Sequence, residues 1–356
     1  MDKWRVVVED NCPAPLGLAV DEALIDFVSR GAPPTLHLYT FKPAVIVGRF
    51  QDVHSEVDVE ECRSLGIDIN RRTTGGGAIF MSEGCLGLAF VAPLSLLNVG
   101  GEPDAIFATF GNILARGLRD LGLPASYRPK NDIEVGGRKI AGIGSDLEHE
   151  SILLFHASTL VDFDADLMLR LLKLPSIKIA DKAIASFKDR ITTVRKECGP
   201  VPMEAVRQAI IAAFSERFGV KFSRERLTNA ELKVIQHLAE SKYGKDEWVY
   251  LVQAPKRTGQ AAFKTPAGLI RVSVATVKGT ISSLLVHGDF FASEQDVFAL
   301  EAALKWKPLI KKSIQAALEA VNSPLLARIG TEQLAEAIYS AGMNSEEVHS
   351  RRKCRT

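Results

Sequence analysis

The chain has 356 residues, of which 46% are hydrophobic and 24% are charged, as in ordinary folded proteins. This length favours two domains, and the composition excludes a disordered or low-complexity chain. The net charge of +1 argues against nucleic acid as the main partner, because phosphate neutralisation normally needs a basic excess. No apolar run reaches the roughly 18 residues of a membrane span, and the charged N-terminus is unlike a secretion signal.

The five cysteines are scattered and form no Cys-x-x-Cys pair. An odd, unpaired set argues against a disulfide framework or a zinc site. We therefore expect a cytoplasmic protein, since a reducing compartment keeps such thiols free.

Apolar periodicity predicts short strands and helices in alternation over the first part of the chain. Predicted strands lie at residues 4–8, 35–39, 45–47, 67–69, 78–81, 86–91 and 152–161. Predicted helices lie at residues 16–28, 57–65, 103–121 and 164–172. The turn at Gly136-Gly137 predicts a β-hairpin over residues 131–144.

The character of the sequence changes after residue 200. Helices are predicted at 203–218 and 229–242, strands at 248–252, 269–276 and 281–285, and helices at 296–304, 309–321 and 332–341. This order predicts an α+β fold with a large catalytic domain at 1–225, followed at 226–356 by a linker helix and a small α/β accessory domain.

A glycine run stands out in residues 71–80, RRTTGGGAIF. Three consecutive glycines let backbone N–H groups approach an anion, and two preceding arginines can grip phosphate or carboxylate oxygens. No Gly-Lys-Ser/Thr follows, so the run is not a P-loop. We interpret it as an anion-binding loop, with a flexible turn as the simpler alternative.

The hairpin brings opposite charges to one face. With Gly136-Gly137 as a two-residue turn, Glu134 pairs with Lys139 and Asp132 pairs with Ala141, and all four share a face. On this face Asp132 could hold Mg²⁺, and Lys139 could contact a phosphate. A solvent-facing hairpin is the alternative, and the spacing alone does not decide between the two.

His156 lies within an apolar strand, where a hydrogen-bonded core histidine is more common than a catalyst.

In this order, the three features resemble the motifs of the lipoate–protein ligase family. The likeness also includes Gly48-Arg49-Phe50-Gln51, Lys130-Asn131-Asp132, and the segments 243–248 and 286–291, which are similar to the accessory domain of single-chain ligases. The resemblance implies the mixed-sheet fold shared by biotin and lipoate ligases. It also implies that lipoate or octanoate attacks ATP to give acyl-AMP, and that the acyl group passes to a lysine of an acceptor protein.

The resemblance further implies roles for individual residues. Lys139 would be the central catalytic contact, and Asp132 would bind the metal, Mg²⁺. ATP and acyl-AMP would be bound by Arg72, Gly75, Gly76, Gly77, Ala78, Ile79, Phe80, Asn131 and Lys139. The acyl pocket would be lined by Arg49, Phe80, Gly142 and His156. The acceptor would be an E2 or H-protein-like domain or a dedicated lipoate-carrying protein, with no nucleic acid or membrane partner.

The main alternative is an ATP-independent octanoyl or lipoyl transferase of the same fold that works through a cysteine thioester. Such relatives carry the nucleophile just before the hairpin or shortly after the histidine motif. Residues 126–131 contain no cysteine, and Cys198 lies well beyond His156. A biotin ligase and a non-enzymatic binding module are weaker alternatives, because the biotin-ligase glycine-arginine loop is missing and both Asp132 and Lys139 are present.

Overall fold

The computed structural model describes residues 3–100, 102–129, 131–148, 151–173, 188–253 and 258–345. The strands are β1 (Lys3–Cys12), β2 (Thr35–Phe41), β3 (Ala44–Val47), β4 (Asp68–Arg71), β5 (Ile79–Met81), β6 (Cys85–Pro93), β7 (Ala125–Arg128), β8 (Asp132–Val135), β9 (Arg138–Glu148), β10 (Ile152–Leu160), β11 (Lys221–Arg224), β12 (Gly259–Thr265), β13 (Gly268–Val277) and β14 (Thr280–Phe290).

The helices are α1 (Ala14–Ser29), α2 (Val53–Glu56), α3 (Val59–Ser64), α4 (Pro103–Asp120), α5 (Ala165–Leu171), α6 (Val194–Cys198), α7 (Met203–Phe218), α8 (Asn229–Leu238), α9 (Asp246–Val249), α10 (Glu294–Leu304), α11 (Lys311–Glu319), α12 (Pro324–Ile329) and α13 (Thr331–Met343). A π-helical turn, Ala239–Tyr243, follows α8. Among the described helices, none combines the length and the apolar character needed to cross a membrane.

The chain forms two compact units. The first consists of residues 1–46, 57–74 and 79–249, and the second of residues 47–56, 75–78 and 250–356. The mixed sheet and the C-terminal domain confirm the predicted α+β class.

The first unit is built on an eight-stranded mixed sheet in the order β11-β1-β2-β6-β10-β9-β8-β7. β1 runs parallel to β2 and β11, and the hairpin strands are antiparallel. One face packs on α4 and α7 through an aromatic cluster, in which the rings of Phe110 and Phe155 stack at 4.6 Å. α4 buries its apolar residues at helical spacing against this face.

The second face of the large sheet is covered only in part. α1 packs against β2 and β6 through Leu24, Val20 and other apolar residues. A separate small sheet, β4-β3-β5, carries the residues that flank the glycine run. α1 also packs on the start of β10 through Ile152 and Leu154, whereas no described residue of β8 or β9 belongs to this cluster.

The second unit has its own core. Three antiparallel strands, β12-β13-β14, pack against α10 to α13 through residues such as Ile270, Leu300 and Ile338. The C-terminal segment is joined by residues 47–56 and 75–78, so this unit is assembled from distant parts of the chain.

Two expectations from the sequence differ from the structure. The strand predicted at 248–252 is wrong, because the short helix α9 occupies residues 246–249, where Trp248 Nε1 donates to the Arg71 carbonyl at 2.8 Å. The boundary expected at 225 falls inside the first unit. α8 packs on α1, and the Tyr243 hydroxyl donates to Glu22 at 2.6 Å, which ties the linker helix to the large sheet.

Candidate functional site

The hairpin β8–β9 carries a close ion pair. Lys139 Nζ lies 2.7 Å from Asp132 Oδ1, and the lysine side chain is 39% exposed while the aspartate is 14% exposed. Pairing of Val135 with Arg138 and of Glu134 with Lys139 is as the turn predicts. The hairpin therefore presents a carboxylate and an ammonium together at a partly exposed surface.

The predicted pairing of Asp132 with Ala141 is wrong. The register shifts after Glu134, so that Ile133 pairs with Ala141 and Asp132 pairs with Gly142. The shift is a β-bulge, in which β9 has one more residue than β8. It turns Ala141 into the core and leaves Gly142 on the face of the ion pair, where a Cβ would lie 3.1 Å from Lys139 Nζ.

Arg128, at the end of β7, is a residue that the sequence analysis did not single out. Its guanidinium contacts Asp132 Oδ2 directly, and its Nε lies 2.5 Å from Glu134 Oε1. The single carboxylate of Asp132 thus has a cation on each side. Arg128 lies opposite Asp132 in the pairing of β7 with β8, and this neighbour was not predicted because β7 is only four residues long.

The backbone of Lys139 is also hydrogen-bonded to residues that follow β10 in the chain. Its N–H donates to the Arg190 carbonyl at 2.8 Å, and its own carbonyl accepts from Thr192 N–H at 2.8 Å. The first residues of β9 therefore pair with β8 on one side and with residues 190–192 on the other. This fixes the backbone from which the partly exposed lysine side chain extends.

Small residues form the floor beside the ion pair. Strand pairing aligns two rows on this face, namely Gly87, Ser158, Gly142 and Ala89, His156, Gly144. A Cβ at Gly87 would lie only 2.2 Å from the ring of Tyr39, so the tyrosine ring covers that glycine. We call these two rows the trough, which extends from Tyr39 to Lys139; Gly142, His156 and Ser158 in it are half-buried, and its other members are buried.

His156 projects from the second row of the trough. Its Nε2 lies 2.7 Å from Thr74 Oγ1. Burial and, to a smaller extent, the nearby charge of Arg72 together lower the pKa of His156 to about 3. The imidazole is therefore neutral at physiological pH and serves as a hydrogen-bonding group.

His37 lies on the same row across β6, since both histidines pair with Ala89. Burial opposes its charge, but hydrogen bonds to Asp21 at 2.8 Å and Glu9 at 3.1 Å outweigh burial and raise its pKa to about 9. His37 is therefore positively charged, and its ring stacks on Tyr39 at 4.6 Å. No local pattern indicates this cluster, because Asp21 and Glu9 are 16 and 28 residues away from His37 in the chain.

The two arginines before the glycine run have different surroundings. Arg71 is fully buried, and its guanidinium donates to the Trp248 and Val249 carbonyls at 2.8–3.1 Å. It stabilises the end of α9, so the expectation that it grips an anion is not met. Arg72 is near His156, and its Nη1 donates to the Ile46 carbonyl at 3.4 Å.

The glycines themselves pack within the second unit. Gly76 N–H donates to the Phe290 carbonyl at 2.9 Å, and a Cβ at Gly75 would lie 2.2 Å from that same oxygen. A Cβ at Gly77 would lie 3.2 Å from the Asp289 carboxylate. In this conformation the Gly76 amide is used by β14, and the two flanking glycines allow the strand to approach closely.

Arg49 belongs to the same unit. Its Nε lies 2.5 Å from Glu294 Oε1 at the start of α10, and its guanidinium lies 5.9 Å from the centre of the Phe50 ring. Phe50 stacks on Phe290 at 5.1 Å. Arg49 thus anchors residues 47–56 to the C-terminal segment of this unit.

The remaining predicted site residues occupy varied positions. Phe80 is buried in β5, 5.9 Å from the Phe163 ring, and Ile79 is half-buried beside it. Asn131 precedes β8, and its carbonyl accepts from Ile143 N–H at 2.9 Å. Ala78 is half-buried in the second unit, while Lys130 lies outside the described residues.

The three buried cysteines in the part of the chain that the structure describes provide no activated thiol. Burial raises the pKa of Cys12 and Cys85 to about 12 and that of Cys62 to about 11. Cys198 is exposed, and its Sγ lies 3.2 Å from the Val194 carbonyl in α6. A nucleophilic cysteine needs a lowered pKa or an adjacent base, and the three buried thiols have the opposite property.

Comparison with known proteins agrees with this architecture. The lipoyl protein ligase A/B catalytic domain matches residues 13–215, and the bacterial lipoate protein ligase C-terminus matches residues 254–338. An octanoyltransferase LipM of Symbiobacterium thermophilum is 33% identical over 273 residues, which are 69% of this chain and 97% of that protein.

Two solved structures are also similar. The bi-partite lipoate protein ligase of Thermoplasma acidophilum, described with its E2 lipoyl domain, is 29% identical with a TM-score of 0.65, over 72% of this chain and all of that one. A lipoate-protein ligase A bound with ATP is 28% identical with a TM-score of 0.62, over 71% of this chain and all of that one. The chain therefore belongs to the family of lipoate–protein ligases and octanoyltransferases.

Proposed function

We propose that this protein is an ATP-dependent lipoate–protein ligase. In the first step, a carboxylate oxygen of lipoate or octanoate attacks the α-phosphorus of ATP, and pyrophosphate leaves. In the second step, the ε-amine of an acceptor lysine attacks the acyl carbonyl, and AMP leaves with the oxygen that bridged the two groups. The amine loses a proton as the amide forms.

The observation that carries this proposal is the Asp132–Lys139 pair at the end of the trough. An ammonium 2.7 Å from a carboxylate, above a glycine floor, can exchange that carboxylate for a phosphate or acyl oxygen. Negative charge grows on those oxygens in both half-reactions, so a preorganised cation there stabilises both transition states. In this proposal Lys139 contacts the reacting groups directly.

The cysteines support ligation over thioester transfer. Residues 126–131, which lead into the hairpin, contain no cysteine, and burial strongly raises the pKa of Cys12, Cys62 and Cys85. Cys198 lies in α6, whose first residue, Val194, is the only one that packs in the core of the unit. A covalent acyl-enzyme route therefore has no prepared nucleophile among the described residues.

The residues present fit a magnesium ion that arrives with the nucleotide. Asp132 Oδ1 is buried and makes no directional hydrogen bond, although Lys139 Nζ lies 2.7 Å away. No described group of three or more acidic, histidine or cysteine residues could hold a metal alone. Mg²⁺ commonly takes one or two carboxylates together with phosphate oxygens, and Asp132 would be that carboxylate. When bound, the ion would neutralise phosphate charge.

The roles of the other residues remain part of the proposal. Arg72, which is close enough to lower the pKa of His156, would bind phosphate or carboxylate oxygens. Neutral His156, Gly142 and Phe80 would contribute to the acyl pocket together with Arg49. Gly75, Gly76, Gly77, Ala78, Ile79 and Asn131 would contact the nucleotide, and for Gly76 this requires that its N–H leaves the Phe290 carbonyl.

Pyrophosphate exchange tests the proposal against the alternative of an ATP-independent octanoyltransferase, which the similarity to the LipM protein favours. With labelled pyrophosphate, ATP and Mg²⁺, we expect label to enter ATP only when lipoate or octanoate is present. Butyrate serves as the matched control acid. No exchange, together with acyl transfer from a carrier-protein octanoyl thioester, would establish the transferase instead.

The acceptor is proposed to be a small lysine-bearing domain of the E2 or H-protein kind or a dedicated lipoate-carrying protein. The Thermoplasma relative is described with its E2 lipoyl domain, which supports this class of partner. Mass spectrometry of each candidate acceptor after incubation with the protein, ATP and octanoate will identify the one that gains the acyl group.

A further inference from the structure

An apolar and basic surface lies at one end of the sheet in the second unit. The segment after α10 runs along the start of β14, where Ile281 N–H donates to the Lys307 carbonyl at 2.9 Å and Trp306 N–H donates to the Ile281 carbonyl at 2.7 Å. A bridge between Thr280 and Pro308 continues the pairing. This brings residues 305–310 beside the β13–β14 turn at 277–279.

Large apolar side chains on this surface are exposed. Trp306 is 62% exposed, Ile310 is 58% exposed and Val277 is 47% exposed. Solvent exposure of tryptophan and isoleucine at one place is unfavourable by the hydrophobic effect, and contiguous apolar surface of this kind marks interaction sites. The three side chains come from two separate chain segments that the strand pairing brings together.

The backbone is strained where the tryptophan is presented. Trp306 has φ of 64°, in the left-handed region that bulky residues rarely adopt. Glycine would adopt this conformation without strain, whereas a residue with a bulky side chain is strained in it. The fold therefore keeps a large aromatic residue exposed at a position where stability alone favours glycine.

Lysines surround these apolar side chains. Lys278, Lys305, Lys307 and Lys312 are exposed, and Lys311 pairs with Glu336. This local excess of positive charge contrasts with a net charge of only +1 for the whole chain. An aromatic centre with a polar rim is typical of protein–protein interfaces, and here the rim is basic.

We propose that these residues form a docking patch for an acidic face of the acceptor protein. The patch consists of Val277, Lys278, Lys305, Trp306, Lys307 and Ile310. Charge complementarity selects an acidic partner surface, and Trp306 inserts into an apolar recess on it. This inference rests on the proposed function, because a ligase that modifies one lysine of a folded domain must recognise the domain as well as the lysine.

The observations favour a protein over a membrane or a nucleic acid. The patch centres on one strained tryptophan with few apolar neighbours, which suits a single recess on a folded partner. Membrane-surface binding normally uses an amphipathic helix with a long apolar face, and here the apolar residues lie at the end of β13 and in a non-helical segment.

Steady-state transfer from preformed lipoyl-AMP to an apo E2 lipoyl domain, an apo H-protein or a lipoate-carrying protein tests the patch. The first variant is Trp306→Gly, which relieves the strained φ. The second is Lys305→Glu with Lys307→Glu. Matched controls are Phe298→Ser, another exposed aromatic of this unit, and Lys264→Glu on β12, the opposite edge of the same sheet.

We expect both patch variants to raise the KM of the best acceptor about tenfold, with kcat and pyrophosphate exchange unchanged. Charge reversal should also weaken the salt dependence of kcat/KM. Trp306→Gly should unfold at the same or a higher denaturant concentration than the wild type. The controls should leave KM unchanged.

Two results would overturn the inference without affecting the proposed function. One is normal exchange and normal acceptor modification with an acceptor KM that neither patch variant changes. The other is binding to phosphatidylserine-containing vesicles that both variants abolish while acceptor KM stays constant. Failure of exchange itself would instead contradict the proposed function.

Discussion

The hairpin and the glycine run both read as anion-binding features in the sequence, yet the structure uses them differently. On the hairpin, Asp132 and Lys139 pair with each other above a glycine floor and remain partly exposed. In the glycine run, Gly76 N–H donates to the Phe290 carbonyl, and Gly75 makes room for that carbonyl. The first has polar groups that a ligand can recruit, whereas the second has its polar groups paired within its own unit.

This contrast shows that the lack of a side chain at a glycine can serve two purposes. A glycine beside a flexible lysine leaves space that a substrate can occupy, while a glycine beside a backbone carbonyl allows two chain segments to touch. The nearest atoms distinguish the cases, since side-chain ends can move and backbone atoms cannot. Four predictions, ordered from the largest expected effect to the smallest, test the roles that these surroundings assign to individual residues.

The largest expected effect is that of Lys139→Ala. Loss of the ammonium removes the cation that stabilises charge on phosphate and acyl oxygens, so pyrophosphate exchange should fall about a thousandfold or more. Because the lysine is partly exposed, its ion pair contributes about 1 kcal/mol or less to the free energy of unfolding. Arg138→Ala, the next residue on β9, is the control, and near-normal exchange in Lys139→Ala would refute its role.

The two glycine environments predict opposite outcomes for alanine. Gly75→Ala places a Cβ 2.2 Å from the Phe290 carbonyl oxygen, so we expect a loss of about 1–3 kcal/mol in unfolding free energy. Gly142→Ala meets side-chain ends, those of Lys139 at 3.1–3.2 Å and Ser158 at 3.8 Å, so stability should hold while exchange falls about tenfold. Gly100→Ala, with its Cβ 3.5 Å from Ala105, is the neutral control. Chemical denaturation and pyrophosphate-exchange assays on the three variants check this. A stable Gly75→Ala protein together with a destabilised Gly142→Ala protein would contradict it.

The two histidines beside Ala89 predict opposite pH dependences of stability. His37, with a pKa of about 9, contributes stability that is present below pH 6.5 and lost as the pH rises through 9. His156, with a pKa of about 3, destabilises the fold as the pH falls from 6.5 towards 3, because only the unfolded chain gains the proton. Each slope can reach about 1.4 kcal/mol per pH unit.

Denaturation midpoints between pH 4.5 and 9.5 check this pair of slopes. We expect His37→Gln to flatten the decline above neutral pH and His156→Gln to flatten the decline below it. The same slope in both variants, or a steeper alkaline decline in His37→Gln, would show that the carboxylates of Asp21 and Glu9 do not hold the charge on His37.

The smallest effect is expected for Cys198→Ser. The thiol contacts a helix carbonyl and takes no part in the proposed reaction, so exchange and acceptor transfer should stay within about twofold of the wild type. Ser215→Ala on α7 is a control for a hydroxyl that likewise contacts a carbonyl of its own helix, at 2.8 Å. An inactive Cys198→Ser protein with a normal denaturation midpoint would restore the thioester mechanism.

Local pattern predicted the fold class, the hairpin and the pairing of Glu134 with Lys139, because these depend on residues near one another in sequence. The bulge was not predicted, although two adjacent apolar residues, Ile140 and Ala141, interrupt the alternation and mark it. The packing of Gly75 on Phe290 could not be predicted, since more than 200 residues separate them. The His37 cluster was missed for the same reason: long-range contacts set its charge.

Oxygen tracing tests the central claim, acyl adenylation, most directly. Octanoate labelled with ¹⁸O in both carboxylate oxygens is incubated with the protein, ATP and an acceptor, and the AMP is analysed by mass spectrometry. Attack of the carboxylate on the α-phosphorus predicts one ¹⁸O in each AMP, formed in step with modified acceptor. Modified acceptor without labelled AMP would contradict the account and show that the acyl group is transferred by another route.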